Sequence, residues 1–243
     1  PQLEKKLNFR NRRLYLTRTF AAAAAVVLLC LSVWTAYLYM QPATIQTVST
    51  LAETRTVHLP DGTSVTLNHY SSLSYPERFK SDNREVELSG EAYFEVSKDP
   101  KHPHFNVDAY PDNPDVKTTL LTGSVAVSNK NNSVRMVLKP NEAAIYNKVE
   151  QKLTRKVLEN AGDEISWRHG EFIFDDLPLQ EIARELSNSF GTTIHIADST
   201  LRNYRITARF RNGEDLDAIL SVLHNAGYFN YSRNTQQITI TKN

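Results

Sequence analysis

The sequence holds a single cysteine, Cys30, so no internal disulfide can staple it and its domains must be stable through packing alone. It lacks the short signatures of common catalytic and nucleotide sites. There is no G-x-S-x-G, no H-E-x-x-H, no P-loop, no G-x-G-x-x-G and no C-x-x-C. Charge of one sign is not in excess either: 28 Lys plus Arg stand against 27 Asp plus Glu, which removes the positive field that nucleic-acid binding needs. Low-complexity tracts are absent. We therefore expect no catalytic residue, no cofactor, no metal site and no nucleic-acid partner.

Against these absences stands one long uncharged run, residues 20–40, FAAAAAVVLLCLSVWTAYLYM, without charge, proline or glycine. As a helix it would rise roughly 30 Å, the thickness of a bilayer's hydrocarbon core. Phe20 and Met40 bound it, and Trp34, Tyr37 and Tyr39 cluster near its end, where amphipathic rings sit at headgroup level. Six basic residues between Lys5 and Arg18 precede it, against one acid, Glu4; after it, no basic residue occurs until Arg55. By the positive-inside rule the N-terminus is cytoplasmic and the rest exported. A buried core helix would carry a polar stripe, and a cleaved signal peptide would end in small residues; neither pattern fits. Residues 1–19 then form a basic cytoplasmic stub and residues 41–53 a polar linker.

From Thr54 the apolar period changes from helical to two. Thr56-Val57-His58-Leu59, Pro60-Asp61-Gly62-Thr63 and Ser64-Val65-Thr66-Leu67 read as strand, tight turn, strand. Further short strands are expected at residues 72–75, 84–88, 92–96, 105–109, 116–121, 125–128, 134–138, 143–146 and 153–157, with Ser89-Gly90 among the turns between them. Residues 54–160 are expected to form an all-β domain, sandwich- or solenoid-like. In it Ala92, Phe94 and Val96 share one strand face, with Phe94 in the core, and Tyr93 and Glu95 take the other.

The last part, residues 166–243, changes again. A strand at 171–174 leads through Asp175-Asp176-Leu177-Pro178, a helix-start signal, into Leu179, Ile182, Ala183, Leu186 and Phe190 on one helical face, closed by Gly191. A strand at 205–210 then leads into Leu216, Ile219, Leu220 and Leu223, closed by Gly227. The identical spacing of Leu179, Ile182 and Leu186 with Leu216, Ile219 and Leu223 marks two βαβ-like repeats in a small α+β domain.

Three constellations could pass for chemistry. His102-Pro103-His104 lacks a third metal ligand and reads as a loop. Glu171, Asp175 and Asp176 could suggest paired carboxylates, but helix capping accounts for both aspartates. Tyr204, Arg205, Arg209 and Arg211 mix aromatic and basic residues; in an exported domain they suit a protein contact or a solvated strand face.

Leu59-Pro60-Asp61-Gly62-Thr63 through Asn68, Ser72 to Pro76, and Val86-Glu87-Leu88-Ser89-Gly90-Glu91-Ala92-Tyr93-Phe94-Glu95-Val96 together resemble the FecR family of anti-sigma factors and transmembrane signal transducers. Thr119 to Val127 and Leu138-Lys139-Pro140 continue the likeness, with Asn141 where the family often has glycine. Residues 167–241 resemble the C-terminal domain of Bacteroidetes-type members, related to the short N-terminal domain of secretins and TonB-dependent receptors. The resemblance implies an inner-membrane, single-pass regulator. Its periplasmic half would contact a TonB-dependent outer-membrane transducer, and its cytoplasmic side an extracytoplasmic-function (ECF) sigma factor. Only residues 1–19 precede the span here, where family members often carry a larger region that grips the sigma factor. A membrane-anchored structural or carbohydrate-binding β protein of the envelope is the alternative. A sugar binder would show exposed aromatics converging on a groove, whereas a relay would show a protein-sized patch on the α+β domain.

Overall fold

The computed structural model describes residues 24–35, 37, 44–79, 84–97, 102–129, 134–234 and 237–242. It divides into two compact units, Pro1–Thr44 and Ile45–Asn243. In the first, residues 24–35 and 37 are helical (α1), and every one of them is exposed, including Val26, Leu28, Leu29, Val33 and Trp34. Trp34 and Tyr37 lie side by side, ring centroids 6.5 Å apart. Among the described residues no helix is long and apolar enough to cross a membrane. The expected span of residues 20–40 extends beyond the described part of this helix, and Phe20, Tyr39 and Met40 lie outside the described residues.

The second unit begins with strand β1, Ile45–Ser49, so the segment expected as linker already contributes a strand, paired antiparallel with β4 (Ser72–Pro76). Strands β2 (Arg55–His58) and β3 (Ser64–Leu67) form the expected hairpin. Gly62 takes φ +88°, and the Asp61 side chain accepts the Thr63 N–H at 2.9 Å. The sheet continues through β5 (Glu87–Glu95), β6 (His104–Ala109), β7 (Asp115–Thr122), β10 (Glu142–Asn147) and β11 (Lys152–Val157). Among the described residues it has nine strands, every pairing antiparallel, while β8 (Val125–Ser128) and β9 (Arg135–Leu138) make a separate hairpin. His104, expected in a loop, opens β6, and its Nδ1 lies 3.3 Å from the Tyr93 hydroxyl.

Strand β5 departs most from expectation. Ser89-Gly90 is not a turn; it lies inside one continuous nine-residue strand. The strand uses one edge twice, pairing Glu87–Ser89 with β4 and Ala92–Glu95 with β3. Gly90 sits at the changeover with φ +101°, and a Cβ there would lie 2.7 Å from the Ser71 Cα. Both the backbone conformation and the close approach require glycine.

On one face of this sheet Val65, Leu67, Leu73, Ala92 and Phe94 form a core, with Phe105 and Val107 packed against it; Phe94 and Phe105 stack at 4.9 Å. Leu120, Leu138 and Ala144 form a satellite. Asn141 adopts φ +63°, as its place in a glycine-favouring position implied. Its side chain also accepts the Ala161 N–H at 3.2 Å, which glycine could not do.

Ala161–His169 is a 3-10 helix, and the α+β domain follows: β12 (Phe172–Pro178), α2 (Leu179–Phe190), β13 (Thr193–Ile196), β14 (Arg205–Phe210), α3 (Leu216–Asn225), β15 (Asn230–Arg233) and β16 (Gln237–Thr241). The repeat is real: Leu179, Ile182 and Leu186 are buried together with Leu216, Ile219 and Leu223 in one core with Phe174, Ile206 and Phe229. The two strands that precede the helices pair with each other, β12 with β14, while β13 lies parallel to β16 and β15 antiparallel to it. Neither leading strand therefore pairs with the strand that follows its own helix. Gly191 caps α2 in the left-handed conformation, as expected.

Two stability measurements test this account. Truncating Phe94→Ala should destabilise the chain by roughly 3–5 kcal/mol, read as a shift in denaturant midpoint; an unchanged midpoint would place Phe94 outside the core. Gly90→Ala should cost at least about 2 kcal/mol from left-handed strain and overpacking, although alanine normally favours folded chains. A neutral result would mean that β5 is not continuous at this point.

Candidate interaction surface

The residues singled out in the α+β domain meet on β14. Ile206 and Phe210 point into the core, and Arg205, Thr207 and Arg209 point out, all exposed. At a strand rise of about 3.3 Å per residue the two outward arginines are roughly 13 Å apart. Arg211, one residue past the strand, is exposed as well. Tyr204, 45% exposed, leans against Tyr228 with centroids 5.9 Å apart. On its other edge β14 has no strand partner among the described residues.

The two aspartates expected to cap α2 do not do so. Strand β12 continues through them to Pro178, with a register shift between Phe174 and Leu177, and Asp176 is the bulged residue at φ +48°. Its N–H donates to the Thr207 hydroxyl at 3.0 Å and its carboxylate pairs with Arg205 at 2.8 Å. Pro178 stands at the cap and offers no side-chain acceptor. The first N–H groups of α2 are instead met by main-chain carbonyls, Leu179 to Tyr204 at 2.8 Å and Gln180 to Arg202 at 3.1 Å. The second repeat follows the rule the first breaks: Asp215 caps α3 by accepting the Ala218 N–H at 2.8 Å. Because both partners of the Asp176–Arg205 pair are well exposed, it contributes at most about 1 kcal/mol and mainly aligns Arg205 along the surface.

A second feature was not anticipated from sequence. Register brings Glu91 on β5 beside Asp108 on β6, and Asp108 beside Lys117 on β7. In the next row Tyr93 lies beside Asn106, and Asn106 beside Thr119. This polar face is not solvated: the 3-10 helix and α2 lie across it. Glu164 pairs with Lys117, and the Arg168 guanidinium sits 4.0 Å over the Tyr93 ring. Asn188 donates to the Asn113 side chain at 3.3 Å. The Tyr70 ring rests on Gly191, where a Cβ would come within 2.1 Å of it. Beside the joint opens a cleft of about 670 Å³, walled by Tyr70, Tyr110 and Asn113 on one side and by Arg184, Asn188 and Thr193 on the other. Its aromatics are already engaged, since the Tyr110 hydroxyl donates to the His69 carbonyl at 2.7 Å. Only the alternation of Glu91, Tyr93 and Glu95 hinted at this face, and alternation alone does not distinguish a solvated face from a docked one.

No group of three or more His, Cys, Asp or Glu side chains is placed to hold a metal ion among the described residues.

Comparison with known proteins places these features. The family model described as FecR protein matches residues 46–139, and that described as FecR, C-terminal, matches residues 171–240. Two crystal structures of candidate anti-sigma factors from Parabacteroides distasonis are similar to the chain. One shares 27% identity at a TM-score of 0.71, covering 82% of this chain and 100% of its own. The other shares 26% at a TM-score of 0.73, covering 82% and 99%. Among proteins of curated function none matches. With both domains of the family present in order, and the expected fold found in each, the chain belongs to the FecR family.

Proposed function

We propose that this chain is an inner-membrane regulator of a sigma factor. In this reading it carries a signal from a TonB-dependent outer-membrane transducer in the periplasm to an ECF sigma factor in the cytoplasm, and performs no catalysis. The observation that carries the reading is the tandem of FecR domains, matched across 82% of the chain by structures named as candidate anti-sigma factors. Helix α1 supports the anchor: an apolar helix exposed on every side is stable in lipid and a liability in water. The charge asymmetry around residues 20–40 orients it with its N-terminus inside. The carbohydrate-binding alternative gains nothing from the interdomain cleft, because Tyr70 and Tyr110 are committed to packing and hydrogen bonding there.

The input surface in this proposal is β14 with Tyr204, Arg205, Arg209 and Arg211. An open strand edge accepts a partner strand, and outward arginines offer charge-assisted hydrogen bonds to acidic side chains. Reversing Arg205 and Arg209 to Glu should weaken binding of the transducer's periplasmic signalling domain at least tenfold and flatten its salt dependence. The melting temperature should hardly move, since neither side chain enters the core. Full binding by the double variant would remove β14 from the interface. Reporter fusions after Asn147 should be active only in the exported compartment, and the purified protein should retain residues 20–40. A mature N-terminus near Ala36 or Ala43 would refute the anchor.

A further inference from the structure

The two domains of the second unit keep separate cores. The sheet core around Val65, Leu73 and Phe94 shares no residue with the core around Phe174, Ile182 and Ile219. What joins them is the polar face of the sheet, and it carries an imbalance of charge. Glu91 and Asp108 come from the sheet, Glu185 from α2 and Glu164 from the 3-10 helix; Lys117 and Arg184 are the cations facing them. Arg168 lies apart, over Tyr93. Glu91 is held by two amides, Asn68 at 2.6 Å and Asn106 at 2.7 Å, with the Tyr110 phenol among its neighbours. Lys117 takes Glu164 as its direct partner, which leaves Glu91, Asp108 and Glu185 without a cation of their own at bonding distance among the described residues. Four buried polar atoms around the same face, Asn106 Oδ1, Thr119 Oγ1, Trp167 Nε1 and Arg168 Nε, have no hydrogen-bond partner among the described residues.

We propose that this joint is a proton-controlled latch: it holds the α+β domain against the sheet while Glu91 and Glu185 are protonated, and releases it when they ionise. The device lies within the chain and rests on no assumption about the partner. Separate cores let the joint part without exposing the interior of either domain, and a polar interface of this kind resembles those that open and close in solution. Burial, followed by the neighbouring Asp108, raises Glu91 to about 8, and burial raises Glu185 to about 7, against 4.5 for a solvated glutamate. Burial raises Asp108 as well, with Lys117 opposing it. For Lys117 burial works against the charge, but Glu164 outweighs it and keeps the ammonium protonated across this range. Turning the Asn106 amide over would present its unpartnered Oδ1 to a Glu91 hydroxyl, so the neutral acid has an acceptor at hand.

The sign follows from these values. Docked acids keep protons that the undocked acids release above 4.5, so docking is fully favoured below that pH. It weakens as pH rises, through about 7 for Glu185 and about 8 for Glu91, and is level beyond. Each group shifts the docking equilibrium by about tenfold per pH unit within its window.

The test uses the full chain in detergent micelles with Cys30→Ser and nitroxides at Asp112→Cys and Thr193→Cys, exposed residues on opposite walls of the cleft. Electron–electron distance measurements at pH 5.5 should give one short distance, and at pH 9 a longer population should dominate. Glu91→Gln with Glu185→Gln should hold the short distance at both. An unchanged wild-type distribution between pH 5.5 and 9 would overturn the latch, and so would a double variant that opens as the wild type does. The wild-type series decides the matter by itself if the double variant does not fold.

Discussion

Strand β5 must be satisfied on both edges and both faces at once, and most of the second unit follows from how that is done. Its edges are filled by three strands: β6 along one side, β4 and β3 in succession along the other. The succession is possible because Gly90 lets Ser71 approach the backbone where one neighbour gives way to the next. Its apolar face, with Ala92 and Phe94, is closed by the rest of the sheet domain. Its polar face, with Glu91 and Tyr93, belongs to the sheet but is covered by the neighbouring domain. One nine-residue strand thus specifies both a core and an interface.

The α+β domain shows a similar economy. Each repeat supplies a helix whose apolar face cannot be covered by its own two strands, because those strands lie in different sheets. Pairing the leading strands together and the trailing strand of the first repeat with β16 ties the repeats into one core. The same arrangement frees Asp175 and Asp176 from capping duty. The loop that carries Arg202 and Tyr204 brings two carbonyls to the start of α2, so the bulge at Asp176 can face β14 and hold Arg205. Stability and the proposed contact surface are built from one set of backbone hydrogen bonds.

For a relay the difficulty is physical. A single helix has no bistable packing of its own, so a message can cross a membrane only through changed association, displacement or cleavage. In the proposed relay, a bistable element would lie elsewhere in the chain. The polar joint between sheet and α+β domain has that character: its two sides keep separate cores, and its charges are mismatched when ionised. In the proposed relay, an input at β14 would act on the same domain that the joint holds.

Much of this protein was legible in its sequence. Period-two alternation located nearly every strand, and the 3.6-residue spacing fixed both helices and their buried residues. Asp61-Gly62 gave the hairpin turn and Gly191 the end of α2, because each of these signals depends on residues within a few positions of one another. The motifs from Leu59 to Val96 were local enough to identify the family. The tertiary structure decided what depends on distant residues. Ser89-Gly90 has the chemistry of a turn and became the middle of a continuous strand, where β4 gives way to β3 and Ser71 packs against Gly90. Asp176 has the chemistry of a cap and became a bulge residue, while carbonyls of residues 202 and 204 meet the first N–H groups of α2. Ile45–Ser49 is polar enough to read as linker and became a strand because β4 offered it an edge. Glu91, Asp108 and Lys117 are up to 26 positions apart; only strand register sets them side by side, and only the docked domain removes them from water.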